Sequence, residues 1–129
     1  MFRWTPQRAL LWSFMRENYT HPTVEEAFQY ARQHLPHLSK KTVYEALRAL
    51  TKEGYIRELD LQGILHYEPA HTKLHAHFIC RQCGKVEDLP NQSIPITTIA
   101  KEGRTHLPHH IDTCQVTFSG LCEQCLQNT

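Results

Sequence analysis

The chain has 129 residues, 40% of them hydrophobic, with 14 Lys/Arg against 13 Asp/Glu and a formal net charge of +1. That length suits one domain or two very small ones around a real core. The near-zero charge excludes a general basic field, so any nucleic-acid contact has to come from local placement. No apolar run of about 18 residues is present to span a membrane. The opening "MFRWTPQRALLW" lacks the basic start, apolar block and small-residue cleavage site of a secretory signal, so a cytoplasmic location is expected. In that compartment five cysteines are expected to be reduced and metal-bound rather than paired as disulfides. Ten histidines are the compositional anomaly.

In chain order, "TPQRALLWSFMRENY" opens a first helix, with Thr5 as N-cap and Pro6 at the first helical position, where a missing N–H costs nothing. Leu10, Leu11, Phe14 and Met15 form its apolar stripe. "HPTVEEAFQYARQHL" starts a second helix in which Thr23 and Glu26 make a capping box. Val24, Ala27, Phe28, Ala31 and Leu35 are its inner face, and Pro36 stops it. "LSKKTVYEALRALTKEG" gives a third helix, with Ser39 as N-cap and Gly54 just past the end. Val43, Leu47 and Leu50 point inward. Lys41, Glu45, Arg48 and Lys52 share the opposite face, with Tyr44 at its flank. "YIRELDLQGILHYEP" alternates apolar and polar residues about Gln62-Gly63 and reads as a β-hairpin.

Three short helices and a hairpin make a winged helix, whose third helix enters the major groove of DNA. A solvated polar surface is the other reading of the helix-three face. The hairpin and the basic start at Lys40-Lys41 favour DNA, while Glu45 repels phosphates but can accept from a cytosine amine. The candidate DNA contacts are Lys40, Lys41, Thr42, Tyr44 and Arg48.

The second half carries metal chemistry. Cys80-x-x-Cys83 and Cys122-x-x-Cys125 can together close a tetrahedral zinc shell, which staples structure and leaves no open position for catalysis. The long spacing between the pairs implies a small subdomain folded between them. His75 and His77 lie at i and i+2 of an expected strand and project together. Taken alone, an H-x-H is a weak signal, and ordinary surface histidines are its commoner explanation. Glu68 upstream and Asp88 downstream make a mixed N/O site that suits Fe(II), Mn(II), Zn(II) or Ni(II) and not Cu(I).

"TPQR", "HPT", "TVYEALRAL", "HAHFICRQCGKVEDL" and "SGLCEQC", in this order, resemble the ferric uptake regulator (Fur) family over about residues 3–126. The resemblance implies an α+β fold: an N-terminal winged helix, residues 1–70, and a small α/β dimerisation domain with a four-cysteine zinc site, residues 71–129. It implies a homodimeric, metal-dependent repressor of double-stranded operator DNA and not an enzyme. Structural Zn2+ is expected on Cys80, Cys83, Cys122 and Cys125. A regulatory Fe2+, Mn2+ or Zn2+ is expected at the hinge, on His21, Glu68, His75, His77 and Asp88. Such an ion would fix the angle between the domains and match two recognition helices to two half-sites.

The chain also departs from the family pattern. Glu45 stands where the family usually has the Arg of "TVYR", and the usual helix upstream of the first one is expected to be missing. Leu74 and Ala76 flank His75 where many relatives build a further metal site. The stretch "NQSIPITTIAKEGRTHLPHH" should hold the second domain's helix, yet Pro95 and its β-branched residues make it a poor one. Cys114, in the expected strand "DTCQVTF", is either a buried thiol, a sulfur donor to a sensor site or a redox-active thiol. His106, His109 and His110 are expected at the surface. The rival readings are a His/carboxylate metallohydrolase, a thiol oxidoreductase built on C-x-x-C and a zinc-stapled adaptor without sensing. Sequence cues for iron, peroxide and zinc sensing are each one residue wide.

Overall fold

Three helix starts and one tight turn set the architecture of the first half. The computed structural model describes residues 1–17, 21–70 and 74–128, and the chain divides into two units, Met1–Thr72 and Lys73–Thr129. In the first unit, α1 spans Pro6–Glu17, and the Thr5 hydroxyl accepts from the Arg8 amide at 3.2 Å. Asn18 and Tyr19, expected at its end, lie outside the described residues. Helix α2, Val24–His34, begins with the full capping box, since Thr23 accepts from the Glu26 amide and Glu26 reaches back to the Thr23 amide. Helix α3, Lys40–Lys52, is capped by Ser39 accepting from the Thr42 amide at 3.1 Å. Beyond it Gly54 takes a φ of 85°, the left-handed turn that lets the chain leave the helix.

Strands β1, Ile56–Leu61, and β2, Ile64–Pro69, pair antiparallel with Leu61 opposite Ile64. Only Gln62 and Gly63 are left for the turn. Both have positive φ, 56° and 84°, the requirement of a type I′ turn whose twist matches the flanking strands. Leu11, Met15, Ala27, Ala31, Val43, Leu47 and Leu50 are fully buried and meet Ile56 and Tyr67 of the hairpin in one core. Each such Leu contributes roughly 1.5–3 kcal/mol by leaving water. The hairpin departs from simple alternation near its base. His66, Tyr67, Glu68 and Pro69 are buried in succession, so polar groups are sequestered on a strand expected to show them to solvent.

The second unit is built on a three-stranded sheet of order β4-β3-β5. Strand β3, Ala76–Cys80, pairs antiparallel with β4, Val86–Leu89, and parallel with β5, Thr117–Gly120. Helix α4, Ile96–His106, lies in the connection from β4 to β5, and α5, Glu123–Gln127, follows β5.

The poor helix of the sequence does form. Pro95 sits at the cap position, before any intrahelical N–H is needed, and burial of Ile96 and Ala100 outweighs propensity. Asn91 supplies the missing cap, its Oδ1 accepting from the Thr97 amide at 3.4 Å and its Nδ2 donating to Thr97 Oγ1 at 2.7 Å. The expectation for Cys114 needs correction. The strand begins only at Thr117, and Cys114 lies half-buried in the irregular segment before it. No helix among the described residues is long and apolar enough to cross a membrane.

Candidate functional site

In the second unit, β3 delivers Cys80 to the end of the sheet, and the chain reverses through Gly84, whose φ is 79°. Cys122 heads α5, so Cys125 falls on the first turn beside it. The four sulfurs lie within 4.8 Å of one another, with Cys83 and Cys122 3.8 Å apart. A tetrahedron with Zn–S bonds of about 2.3 Å has edges of about 3.8 Å, so the cluster has the dimensions of a closed dication site. Backbone amides support it. Cys83 and Cys122 N–H donate to the Cys80 sulfur at 3.5 and 3.3 Å, and Cys125 N–H donates to Cys122 at 3.4 Å. Those amides, from Cys83 first, lower the Cys80 thiol to about 5. The neighbouring Cys122 side chain, and then burial, push Cys125 up to about 12. Sulfurs this close cannot all ionise unless a cation compensates them, which is the chemistry of a structural metal.

At the other end of β3 a second donor set assembles. His75 immediately precedes the strand and His77 lies within it, directly opposite Asp88 of β4. The two imidazole rings are 4.5 Å apart. Their Nε2 atoms lie 3.2 Å and 3.5 Å from the same Asp88 oxygen, Oδ1. His77 is buried, and the set offers two nitrogens and one oxygen to a borderline metal.

The first unit holds the remaining two candidates. His21 Nε2 and Glu68 Oε2 lie 3.4 Å apart, both residues about 5% exposed. Local backbone explains the meeting. Thr23 bridges His66 of β2, the Tyr67 amide donates to Pro22 O at 2.9 Å, and the segment 21–23 therefore runs beside the strand that carries Glu68. His21 has a φ of 57°, a left-handed conformation costing on the order of 1–3 kcal/mol in a non-glycine residue.

Glu68 has a second partner that sequence reasoning did not single out. Arg57, its cross-strand neighbour, donates from Nε and Nη2 to Oε1 at 3.1 and 2.8 Å and from Nη1 to Ala70 O at 3.1 Å. Opposite charges facing across an antiparallel pair were the available signal. His66 was also missed. Its Nδ1 is 2.7 Å from His21 O, and an isolated histidine in an alternating strand carries no pattern that marks it.

On α3, Lys41, Tyr44 and Arg48 are exposed, and the Arg48 guanidinium lies 5.9 Å over the Tyr44 ring. Thr42 shares a 2.9 Å hydroxyl contact with the cap Ser39. Lys40 is engaged by Glu25 of α2, whose carboxyl is lowered first by Lys40 and then by Gln29. His106 pairs with Glu102 and His110 with Asp112, all exposed. Among the described residues no metal-capable cluster assembles around these histidines or around Cys114.

Comparison with known proteins gives a consistent set. The model of the ferric uptake regulator family matches residues 1–118. The peroxide-responsive repressor PerR of Staphylococcus saprophyticus is 30% identical over 125 residues, spanning 95% of this chain and 82% of that protein. The ferric uptake regulator of Helicobacter pylori, a structure described as revealing three functional metal-binding sites, superposes with a TM-score of 0.79 at 25% identity, over 97% of this chain and 83% of that one. A zinc uptake regulator complexed with zinc and DNA gives a TM-score of 0.68 at 21% identity, over 98% and 85% of the two chains, a likeness of fold alone.

Proposed function

This chain belongs to the ferric uptake regulator family of metal-responsive transcriptional regulators, and we propose that it is a homodimeric repressor whose operator binding is switched by one regulatory ion per chain. The observation that carries the proposal is the division of the donors. The first unit offers a pair, His21 and Glu68, and the second offers three, His75, His77 and Asp88. Three imidazoles and two carboxylates suit Fe2+, Mn2+ or Zn2+. A pair of side chains is too few to hold a divalent ion, so in this reading His21 and Glu68 would serve as ligands by joining the other three.

When bound, the ion supplies coordinate bonds to both donor groups and transforms no substrate. The protein's side chains do the rest. Arg57 engages Glu68 Oε1 and leaves Oε2 to be offered beside His21. Asp88 lies between two imidazoles and collects them toward one point. Holding the angle between the units lowers the cost of setting both recognition helices of a dimer on successive half-sites. Lys41 and Arg48 then meet phosphates, Thr42 and Tyr44 face base edges, and Lys40 exchanges Glu25 for a phosphate. Cys80, Cys83, Cys122 and Cys125 keep a structural Zn2+ throughout.

The reading is supported by the family match and by the likeness to a repressor whose name specifies peroxide response. The test is fluorescence anisotropy of labelled DNA from upstream of the protein's own gene, with zinc-retaining protein titrated with Fe(II), Mn(II) or Zn(II). One metal should tighten binding by on the order of tenfold to a hundredfold, and His77→Ala should abolish the gain. Equal binding with and without metal would refute the switch.

A further inference from the structure

We propose that His66 is a positioning residue for His21, clamping the His21 carbonyl so that the imidazole stays beside Glu68; the inference rests on the regulatory-site reading above. His66 is 7% exposed, and its Nδ1 is 2.7 Å from His21 O. A carbonyl only accepts, so the proton sits on Nδ1 and the ring donates. This side-chain bond fills a gap that the backbone cannot close. The segment 21–23 lies against β2 as a short added edge, through the Thr23–His66 bridge and the Tyr67 N–H to Pro22 O bond. Pro22 has no N–H to give in return. The residue before it, His21, is turned left-handed at a φ of 57° and needs an external hold. His66 and Tyr67, consecutive on β2, thus grip the consecutive carbonyls of His21 and Pro22.

Strand periodicity links the clamp to the acid. Residues 66 and 68 share one face of β2, so a single short strand sets the carbonyl grip on His21 and the carboxylate 3.4 Å from its Nε2. Without the clamp, the His21 backbone can relax toward ordinary φ and carry its imidazole away.

Two measurements on the full-length, zinc-retaining protein test this. First, the nitrogen shifts of the His66 ring, read by NMR without added regulatory metal, should show the Nδ1–H tautomer in slow exchange. An Nε2–H tautomer would overturn the proposal outright. Second, His66→Phe fills the space without a donor, whereas the side-chain amide of His66→Asn falls close to the place of Nδ1. Titrated with Co(II), the Phe variant should bind about tenfold more weakly, the size of one lost hydrogen bond, with altered d–d bands, and the Asn variant close to wild type. Exchange of the Tyr67 amide should quicken in the Phe variant and not in the Asn variant. A Phe variant matching wild type in both readouts sinks the clamp. Should wild type bind no Co(II) in a His77-dependent way, the metal reading falls, while the tautomer and the Tyr67 exchange still judge the clamp.

Discussion

Replacing Arg57 with Ala should make the protein less stable and its metal binding tighter, by related amounts. The Glu68 side chain is only 6% exposed, and its Oε1 takes two guanidinium donors at 2.8 and 3.1 Å. Removing one partner of a fully buried pair costs about 3–5 kcal/mol, because the other charge is left without compensation. Here the Arg57 side chain is 23% exposed, and solvent screening reduces the expected loss to about 2–3 kcal/mol. A dication reaching the stranded carboxylate restores that compensation. The part of that loss that falls on the carboxylate returns as metal affinity, which should rise by up to about 30- to 150-fold, since every 1.4 kcal/mol is tenfold. The assay pairs thermal melts in chelator and in saturating Mn(II) with a calorimetric titration of Mn(II). Arg57→Lys keeps the charge but loses the fork, and should fall between Ala and wild type. Equal destabilisation in both melts with unchanged affinity would refute the idea that the guanidinium and the ion compete for one carboxylate.

Three further outcomes follow from other parts of the chain. Tyr67 is fully buried, and its hydroxyl has no hydrogen-bond partner among the described residues, so Tyr67→Phe should stabilise the first unit by about 1 kcal/mol in urea unfolding; a clear loss would mean that the phenol is satisfied after all. Cys80 is held at about 5 against an ordinary thiol value of 9.0. A lowered acid contributes stability that is complete above the ordinary value and declines as pH falls toward the folded one. Zinc release to a chromophoric chelator should climb as pH falls, because protons compete with the metal for the thiolates, and release that does not depend on pH would contradict the thiolate assignment. Phe118 is 46% exposed on β5, at the edge of its sheet. If the second unit pairs two copies along that edge, Phe118→Asp should shift the protein to monomer in sedimentation, with its zinc content unchanged.

How much of this was legible in the sequence depended on how local the physics is. The caps at Thr23 and Ser39 and the Gln62-Gly63 turn are decided within four residues, and each formed as expected. The repeated C-x-x-C spacing likewise announced its cluster. Helix α4 was obscured because its stability comes from elsewhere: burial of Ile96 and Ala100, and a cap from Asn91, which lies four residues upstream of the cap position. The place of Cys114 was misjudged because β-branched Val116 and Thr117 suggest a longer strand, whereas pairing with β3 starts only at Thr117. Arg57 becomes legible only once the two-residue turn is used to count the hairpin register, which sets it opposite Glu68, whereas the grip of His66 on the His21 carbonyl joins distant segments and no local pattern displays it.

That register ties the tight turn to the chemistry at the other end of the hairpin. With Leu61 opposite Ile64, the count along the strands puts Leu59 opposite His66 and Arg57 opposite Glu68. A slip of one residue would turn His66 and Glu68 to the face now held by Leu65 and Tyr67, exchanging a carboxylate and an imidazole for groups that pack on the helices. The two-residue turn resists the slip because only its left-handed pair closes strands of this twist at this length. Gln62 accepts a φ of 56° there, and Asp60 Oδ1 holds the Gly63 amide at 2.8 Å. The residues at the tip thus do two tasks. They shape the hairpin beside α3, and they determine which side chains the base of β2 presents to His21, from a tip that carries none of the proposed ligands itself.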